Sequence, residues 1–403
     1  MSSEALAPFL RAWHSGDMSL IGDLRATRKP LAGFAAIGIT WAAFFAQMPV
    51  IKAGVGASDG AYGVAVLWAS LGAVAAMWLA PYAQRLVGAW AVPLAIVVIA
   101  IGLFGSGAVP SLWLLGLMLF LAASGSGITD VLINADVSQV EADTGRSLMN
   151  LNHALYSFSY AASALAVGVL REAGVAPMPI FAGVVCVLMF LSWASFGTAD
   201  HPDAAAEAGT SQTPKLPPAL IWLVGGVVFI AFLSEASAEG WSALHLERTL
   251  GGAPAEGALG PALLGLTMGI GRLSGHALAR FMRDTTLMML AMLTCAAGLA
   301  IAGLAETVVV ALLGFAIAGL GISVVAPLAL ALIGRVMPRG MRMAAIARVS
   351  VIGYGAFFFG PPLMGLIAEV MSLRASFVTI AVVLAVVALT LIPALARKVA
   401  AER

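Results

Sequence analysis

The chain is 403 residues long, 61% apolar and only 10% charged, with a formal net charge of +1. A soluble domain carries about 25% charged residues, so this little charge cannot cover a surface facing water, and the surplus apolar side chains need lipid as solvent. The near-neutral balance, with no run of lysine or arginine, argues against a nucleic-acid partner.

Residues 1–30 form a polar cytosolic tail with Asp17, Asp23, Arg25, Arg28 and Lys29 and no continuous apolar stretch before Leu31, unlike a secretory signal peptide. Leu6, Phe9, Leu10 and Trp13 fall on one side of a short helix that either lies on the membrane surface or stays a loose tail. Twelve apolar runs follow, at 31–51, 61–83, 90–108, 111–138, 148–171, 176–197, 218–240, 258–281, 285–304, 308–335, 342–367 and 373–396. Each is near the roughly 20 residues that carry a helix across the hydrocarbon layer. They are too long, and too apolar on every side, for alternating barrel strands. The predicted fold class is therefore an all-α polytopic membrane protein of twelve helices in two six-helix bundles, 31–197 and 218–396. Cys186 and Cys295 sit inside apolar runs and read as small buried hydrophobes rather than a disulfide or a metal site.

The breaks between runs are short and carry turn chemistry, as in Gly54–Gly60, Gly105–Ser111 and Gly251–Gly257. The longest, 198–217, is polar and proline-rich and reads as a cytosolic linker between the halves, with 397–403 a cytosolic C-terminal tail. With both termini inside, the inner segments hold fifteen basic residues and the outer ones four, namely Lys52, Arg171, Arg248 and Arg374. The halves also look like repeats. Leu79-Ala-Pro-Tyr-Ala-Gln-Arg after the second run and Leu273-Ser-Gly-His-Ala-Leu-Ala-Arg after the eighth each end a long apolar helix in a basic turn. Parallel repeats of this kind place a substrate site near the midplane.

From about residue 31 the chain resembles the major facilitator superfamily, and within it the fucose-permease-like branch. The resemblance is sharpest at Gly127-Ile-Thr-Asp-Val-Leu-Ile-Asn134 and Asn150-Leu-Asn-His-Ala-Leu-Tyr-Ser-Phe158. It is supported by Gln47–Lys52 with Ala57–Gly60, by Ala238–Ser242 and by Gly269–Gly275. It implies a monomeric secondary transporter in the cytoplasmic (inner) membrane that uses no cofactor and works by alternating access. The chain departs from the family pattern in three places. Gln84 precedes Arg85 where the loop signature has an aspartate, His276 replaces the matching acid in the second half, and no carboxylate lies between Leu31 and Ile51.

Ionisable groups inside a membrane cost at least about 2.5 kcal/mol on insertion scales, so each asks for a reason. Asp130 lies well inside the fourth run and shares a helical side with Asn134 and Ser138. The resemblance implies a proton- or substrate-binding carboxylate there; the bland alternative is a structural hydrogen bond. Asp136, Glu141 and Asp143 fall at the end of that run and read as solvated or paired with Arg146. Asn152, His153, Tyr156 and Tyr160 form a polar, aromatic stretch suited to a sugar or another hydroxylated solute, against a structural role for the histidine. Glu235 is the second proton-coupling candidate.

Glu239 and Trp241 read as an external gate or part of the interfacial aromatic belt. Arg85, Arg272, His276 and Arg348 are candidate gating groups; Arg272 either pairs across the halves or snorkels to the interface. Trp41, Phe45 and Gln47, together with Tyr354, complete the candidate substrate site, with packing or lipid contact as the alternative for the aromatics. Pro361 and Pro362 predict a kink in the eleventh run.

The leading functional expectation is proton-coupled symport of a small polar, sugar-like solute. The alternatives are a proton-driven exporter of drug-like compounds and a sensor that does not transport. A nucleotide-binding loop, a nucleophile elbow and a His-Glu-x-x-His motif are all missing, so neither ATP-driven pumping nor enzymatic hydrolysis is predicted.

Overall fold

Hydrocarbon offers no water to backbone N–H and C=O groups, so each apolar run has to close its own hydrogen bonds. The computed structural model describes residues 20–198 and 217–401 except 147, 279–280 and 339–340, and leaves the side chains of 275–277, 343 and 401 undescribed. Every described run is helical. The first half holds α1 (Arg28–Ala46), α2 (Asp59–Val87), α3 (Ala91–Ser106), α4 (Leu112–Thr144), α5 (Met149–Glu172) and α6 (Pro177–Ala194). The second holds α7 (Pro218–Leu244), α8 (Pro254–Leu278), α9 (Asp284–Leu304), α10 (Val308–Ile322, resuming as Val325–Val336), α11 (Arg342–Tyr354, resuming as Ala356–Val370) and α12 (Leu373–Ala401).

Ten stretches are long and apolar enough to cross a membrane. One of them, 59–106, folds as α2 and α3 around the turn Gly88–Trp90. α8, diluted by Glu256 and Arg272, makes the twelfth crossing. The expected tail helix around Leu6–Trp13 and the linker interior lie outside the described residues.

Helix ends are set by local chemistry. Ser58 caps α2 by accepting from the Ala61 amide at 3.2 Å. Glu141 accepts from the Leu148 and Met149 amides at 2.5 and 2.8 Å and so serves the start of α5. The expected partner of that acid, Arg146, instead pairs with Asp23 at 3.1 Å. Gly145 ends α4 in the left-handed region, at φ 68°. The break in α11 falls at Gly355, ahead of the prolines; Pro361 and Pro362 sit inside the second segment. Cys295 is buried as expected, but Cys186 lies on the outer surface of α6.

The packing repeats between halves. α2 and α3 pack on α4, α1 on α5 and α3 on α6; α8 and α9 pack on α10, α7 on α11 and α9 on α12. The two most extensive contacts between the halves are α5 with α8 and α2 with α11, and they are equivalent under the same repeat. Successive crossings alternate in direction, so the start of α1 and the end of α12 share one face, here the terminal face; the other is the distal face.

α2 and α11 approach so closely that a Cβ on Gly63 would collide with the Pro361 carbonyl, and one on Gly365 with that of Asp59. Gly63→Ala should therefore force the two helices apart at a cost of about 1–3 kcal/mol. Thermal unfolding in detergent checks this; an unchanged melting temperature would mean that the contact has slack.

Candidate functional site

A cavity of about 310 Å³ lies between the halves. α1 contributes Phe34, Trp41 and Phe45, α4 contributes Ser126 and Asp130, and α5 contributes His153 and Tyr156. From the second half come Phe232, Glu235 and Glu239 of α7, Trp241 at its distal end, Arg272 of α8, and Tyr354 and Phe357 of α11.

The polar groups form two clusters and leave one acid aside. In the first cluster, Asn134 lies one turn beyond Asp130, and its amide donates to the Asp130 carbonyl at 2.8 Å and to its carboxylate at 3.0 Å. The Asn134 carbonyl contacts Nε2 of His153 at 3.2 Å, and the Tyr354 hydroxyl reaches the second Asp130 oxygen across the halves at 3.5 Å. In the second cluster, Arg272 reaches from α8 to α5. It donates to Ser157 Oγ at 2.5 Å and to the His153 carbonyl at 3.3 Å, and it pairs with Glu235 at 3.4 Å. Its guanidinium also lies 5.9 Å from the Tyr156 ring centre. Glu239 is 8% exposed and has no hydrogen bond or ion pair with any described residue.

Aromatic rings make the rest of the wall. Trp41 stacks on Phe45 at 5.8 Å and donates its indole N–H to Ser126 Oγ at 3.2 Å. Phe232 packs at 5.5 Å from both Tyr354 and Phe357, and Trp241 meets Tyr62 edge-on at 5.9 Å. Because Pro361 has no N–H, the Phe357 carbonyl one turn earlier lacks its helical partner. Ser70 of α2 donates to it at 2.6 Å, so the proline serves as a cross-half contact point.

The distal face is latched by ions. After α7 the chain forms a π turn, His245–Thr249, whose successive charges reach two helices of the other half. Glu247 binds Arg171 of α5 at 2.7 and 2.9 Å, and Arg248 binds Asp59 of α2 at 2.7 and 2.5 Å. Lys52 adds a second cation to Asp59 at 2.9 Å. Glu369 of α11 accepts from the Gly60 amide at 2.6 Å and from Ser58 Oγ at 2.8 Å. On the terminal face the pairs Arg146–Asp23 and Arg335–Asp284 each stay within one half.

Of the candidates read from sequence, Trp41, Phe45, Asp130, His153, Tyr156, Glu235 and Tyr354 line the cavity. So do Glu239, Trp241 and Arg272, which the sequence places at gates. Asn134 acts from behind Asp130. Gln47, Asn152 and Tyr160 are fully buried off the wall; both amide atoms of Gln47 and the Tyr160 hydroxyl have no hydrogen-bond partner among the described residues. Arg85 and Arg348 are exposed, without a hydrogen bond or ion pair to a described residue. The side chain of His276 lies outside the described residues. Phe34, Phe232 and Phe357, and the whole distal latch, escaped the sequence reading.

Two related six-helix halves around a central, partly polar cavity define a polytopic α-helical membrane protein. Residues 224–403 match the profile of the Major Facilitator Superfamily. An uncharacterized MFS-type transporter of Yersinia pestis is 29% identical, over 87% of this chain and 91% of that protein. An uncharacterized transporter of Sinorhizobium fredii is 28% identical, over 90% and 96%. Among solved structures, a D-xylose-proton symporter superposes with a TM-score of 0.73 at 15% identity, covering 93% of this chain and 97% of that one. The nucleoside transporter NupG superposes at 0.68 with 14% identity, covering 93% and 98%. The second half of the chain is thus similar to the major facilitator profile, and most of its length to uncharacterized transporters.

Proposed function

We propose that the protein is a secondary active transporter that moves a small solute across the cytoplasmic membrane by alternating access, coupled to protons through Asp130 and Glu235. The observation that carries this reading is a cavity between the halves, holding acids from both of them beneath a distal face latched by ion pairs between those halves. Breaking that latch while the terminal face closes would expose the same cavity to the other side. The excess of basic residues supports a cytosolic terminal face with both chain ends inside; in this reading 31–197 and 218–396 are the moving bundles and 198–217 their linker.

The sugar-like expectation draws support from the fucose-permease-like motifs and from the xylose and nucleoside transporters that share the fold. The wall itself tells against a purely hydroxylated solute: Asn152 and Tyr160 turn away from it, while aromatic rings dominate it. A solute with a flat apolar part fits that wall better, which favours the drug-like alternative.

The test is reconstitution with a panel of sugars, polyols, organic acids and amines under an imposed pH gradient, with Ala123→Cys as an accessibility probe in the cavity wall. At least one solute should accumulate and lose its accumulation on adding a protonophore, and residue 123 should be labelled from either face during turnover. No accumulation, together with labelling from one face alone, would overturn the proposal.

Arg272→Gln removes the cation from Glu235 and the tie to Ser157. It should lower solute affinity or coupling by at least about tenfold, because stranding a buried charge costs well over 1.4 kcal/mol. Unchanged uptake kinetics would show that the pair is dispensable.

A further inference from the structure

We propose that the cavity takes an organic cation, a solute with one ammonium group and a flat apolar body, and that Glu239 anchors the ammonium. This rests on the reading of the cavity as the substrate site. Three carboxylates line it, and two are committed: Asp130 to Asn134 and Tyr354, Glu235 to Arg272. Glu239 is nine-tenths buried and unpartnered among the described residues, yet faces the cavity. A carboxylate so placed needs a counter-charge or a proton. Arg272 is already spent on Glu235, Ser157 and the His153 carbonyl, and Arg171 and Arg248 are held in the distal latch. With three acids and one guanidinium, the described wall has more carboxyls than cations to pair with them, an imbalance that disfavours an anionic guest and that a cationic one relieves.

The surroundings suit a cation with an apolar body. Gly240, next along α7, faces Phe45, and an added Cβ would sit 3.7 Å from that ring, in ordinary contact and without a clash, so the glycine keeps the wall beside the acid flat against an aromatic ring. Phe45 stacks on Trp41, and Trp241 lies on the same wall. Aromatic faces attract a desolvated ammonium and pack on the carbon around it. A cavity of about 310 Å³ limits the guest to a small amine of this kind.

The experiment measures binding to the purified protein in detergent by calorimetry. The probe is benzyltrimethylammonium, whose charge does not titrate, compared with its neutral isostere neopentylbenzene and with D-xylose. The cation should bind and the two neutral compounds should bind far more weakly. Glu239→Gln should weaken cation binding by at least about tenfold, the loss of one buried charge pair, while leaving neopentylbenzene unchanged. Binding of the cation should also weaken as pH falls, because a proton and the ammonium compete for one carboxylate. An isostere that binds wild type as tightly as the cation, a Glu239→Gln variant that keeps full cation affinity, or no cation binding at millimolar concentration would each overturn the proposal. Size-exclusion profiles show whether the variant is folded; if it is not, the wild-type comparison of cation with isostere decides. Failure of the transport reading appears separately, as labelling of residue 123 from one face alone, and leaves the binding result standing.

Discussion

Asp59→Asn should shift the resting protein toward opening at the distal face. Asp59 is 7% exposed at the first turn of α2 and holds Lys52 from its own half and both terminal guanidinium nitrogens of Arg248 from the other. An amide of the same shape can still accept a hydrogen bond, but it no longer balances two cations. Breaking a fully buried pair costs about 3–5 kcal/mol. The Arg248 side chain is 44% exposed, so water takes up part of that loss and about 1–2 kcal/mol is the better figure. In the alternating-access reading this contact parts when the distal face opens, so the loss falls on the closed state.

The equilibrium should move roughly tenfold, about 1.4 kcal/mol. It should not invert, because Arg171–Glu247 and the Glu369 contacts to Gly60 and Ser58 still hold the latch. Labelling of Ala123→Cys by an impermeant reagent from the distal side measures the change. An Asp59→Asn variant labelled at the wild-type rate would show that the pair does not hold the closed face.

These latch residues were hidden in the sequence for a physical reason. Asp59, Arg171, Glu247 and Glu369 sit at helix ends, where a charge is cheap and reads as solvated. Arg248 lies 189 positions from Asp59, and only the folded halves bring the two together. The helices themselves were legible because lipid imposes a length and an apolar composition on each crossing. Asp130, Glu235, Glu239 and Arg272 stood out because charge inside such a run is expensive, and all four line the cavity. Their depth was harder to read: Glu239 and Trp241 looked like an outer gate, and both also line the cavity. The rotation of a helix was harder still, because a helix apolar on every side has no preferred inner stripe. That is why Gln47 and Asn152 resembled site residues and turn into the protein. In α11 the two prolines drew attention to a kink, while Gly355 takes the break and Pro361 frees a carbonyl for Ser70.

Asp130→Asn should keep solute exchange and lose pH-driven accumulation. The substitution is nearly isosteric, and its hydrogen bonds can be kept. The new amide oxygen accepts from Asn134 as the carboxylate does, and the new amide nitrogen can donate to the Tyr354 hydroxyl, which then points its own proton elsewhere. The cavity therefore keeps its shape, and the side chain stands permanently in the state that a protonated Asp130 reaches only on loading. A carrier whose coupling acid is always neutral can still cross between its two conformations, because it takes no bare charge through a low-dielectric core. It can no longer bind a proton on one side and release it on the other. In wild type with one proton per solute, each pH unit of imposed gradient supports about tenfold accumulation, since one unit is worth about 1.36 kcal/mol. In the variant this should fall to the level seen without a gradient, while counterflow of labelled against unlabelled solute continues. Wild type in acid on both sides should behave like the variant, because Asp130 is then loaded throughout. Accumulation in the variant that still follows the pH gradient would move the coupling to Glu235 or elsewhere. Loss of the folded protein on size exclusion would instead assign Asp130 a structural task, holding Asn134 and Tyr354 across the two halves.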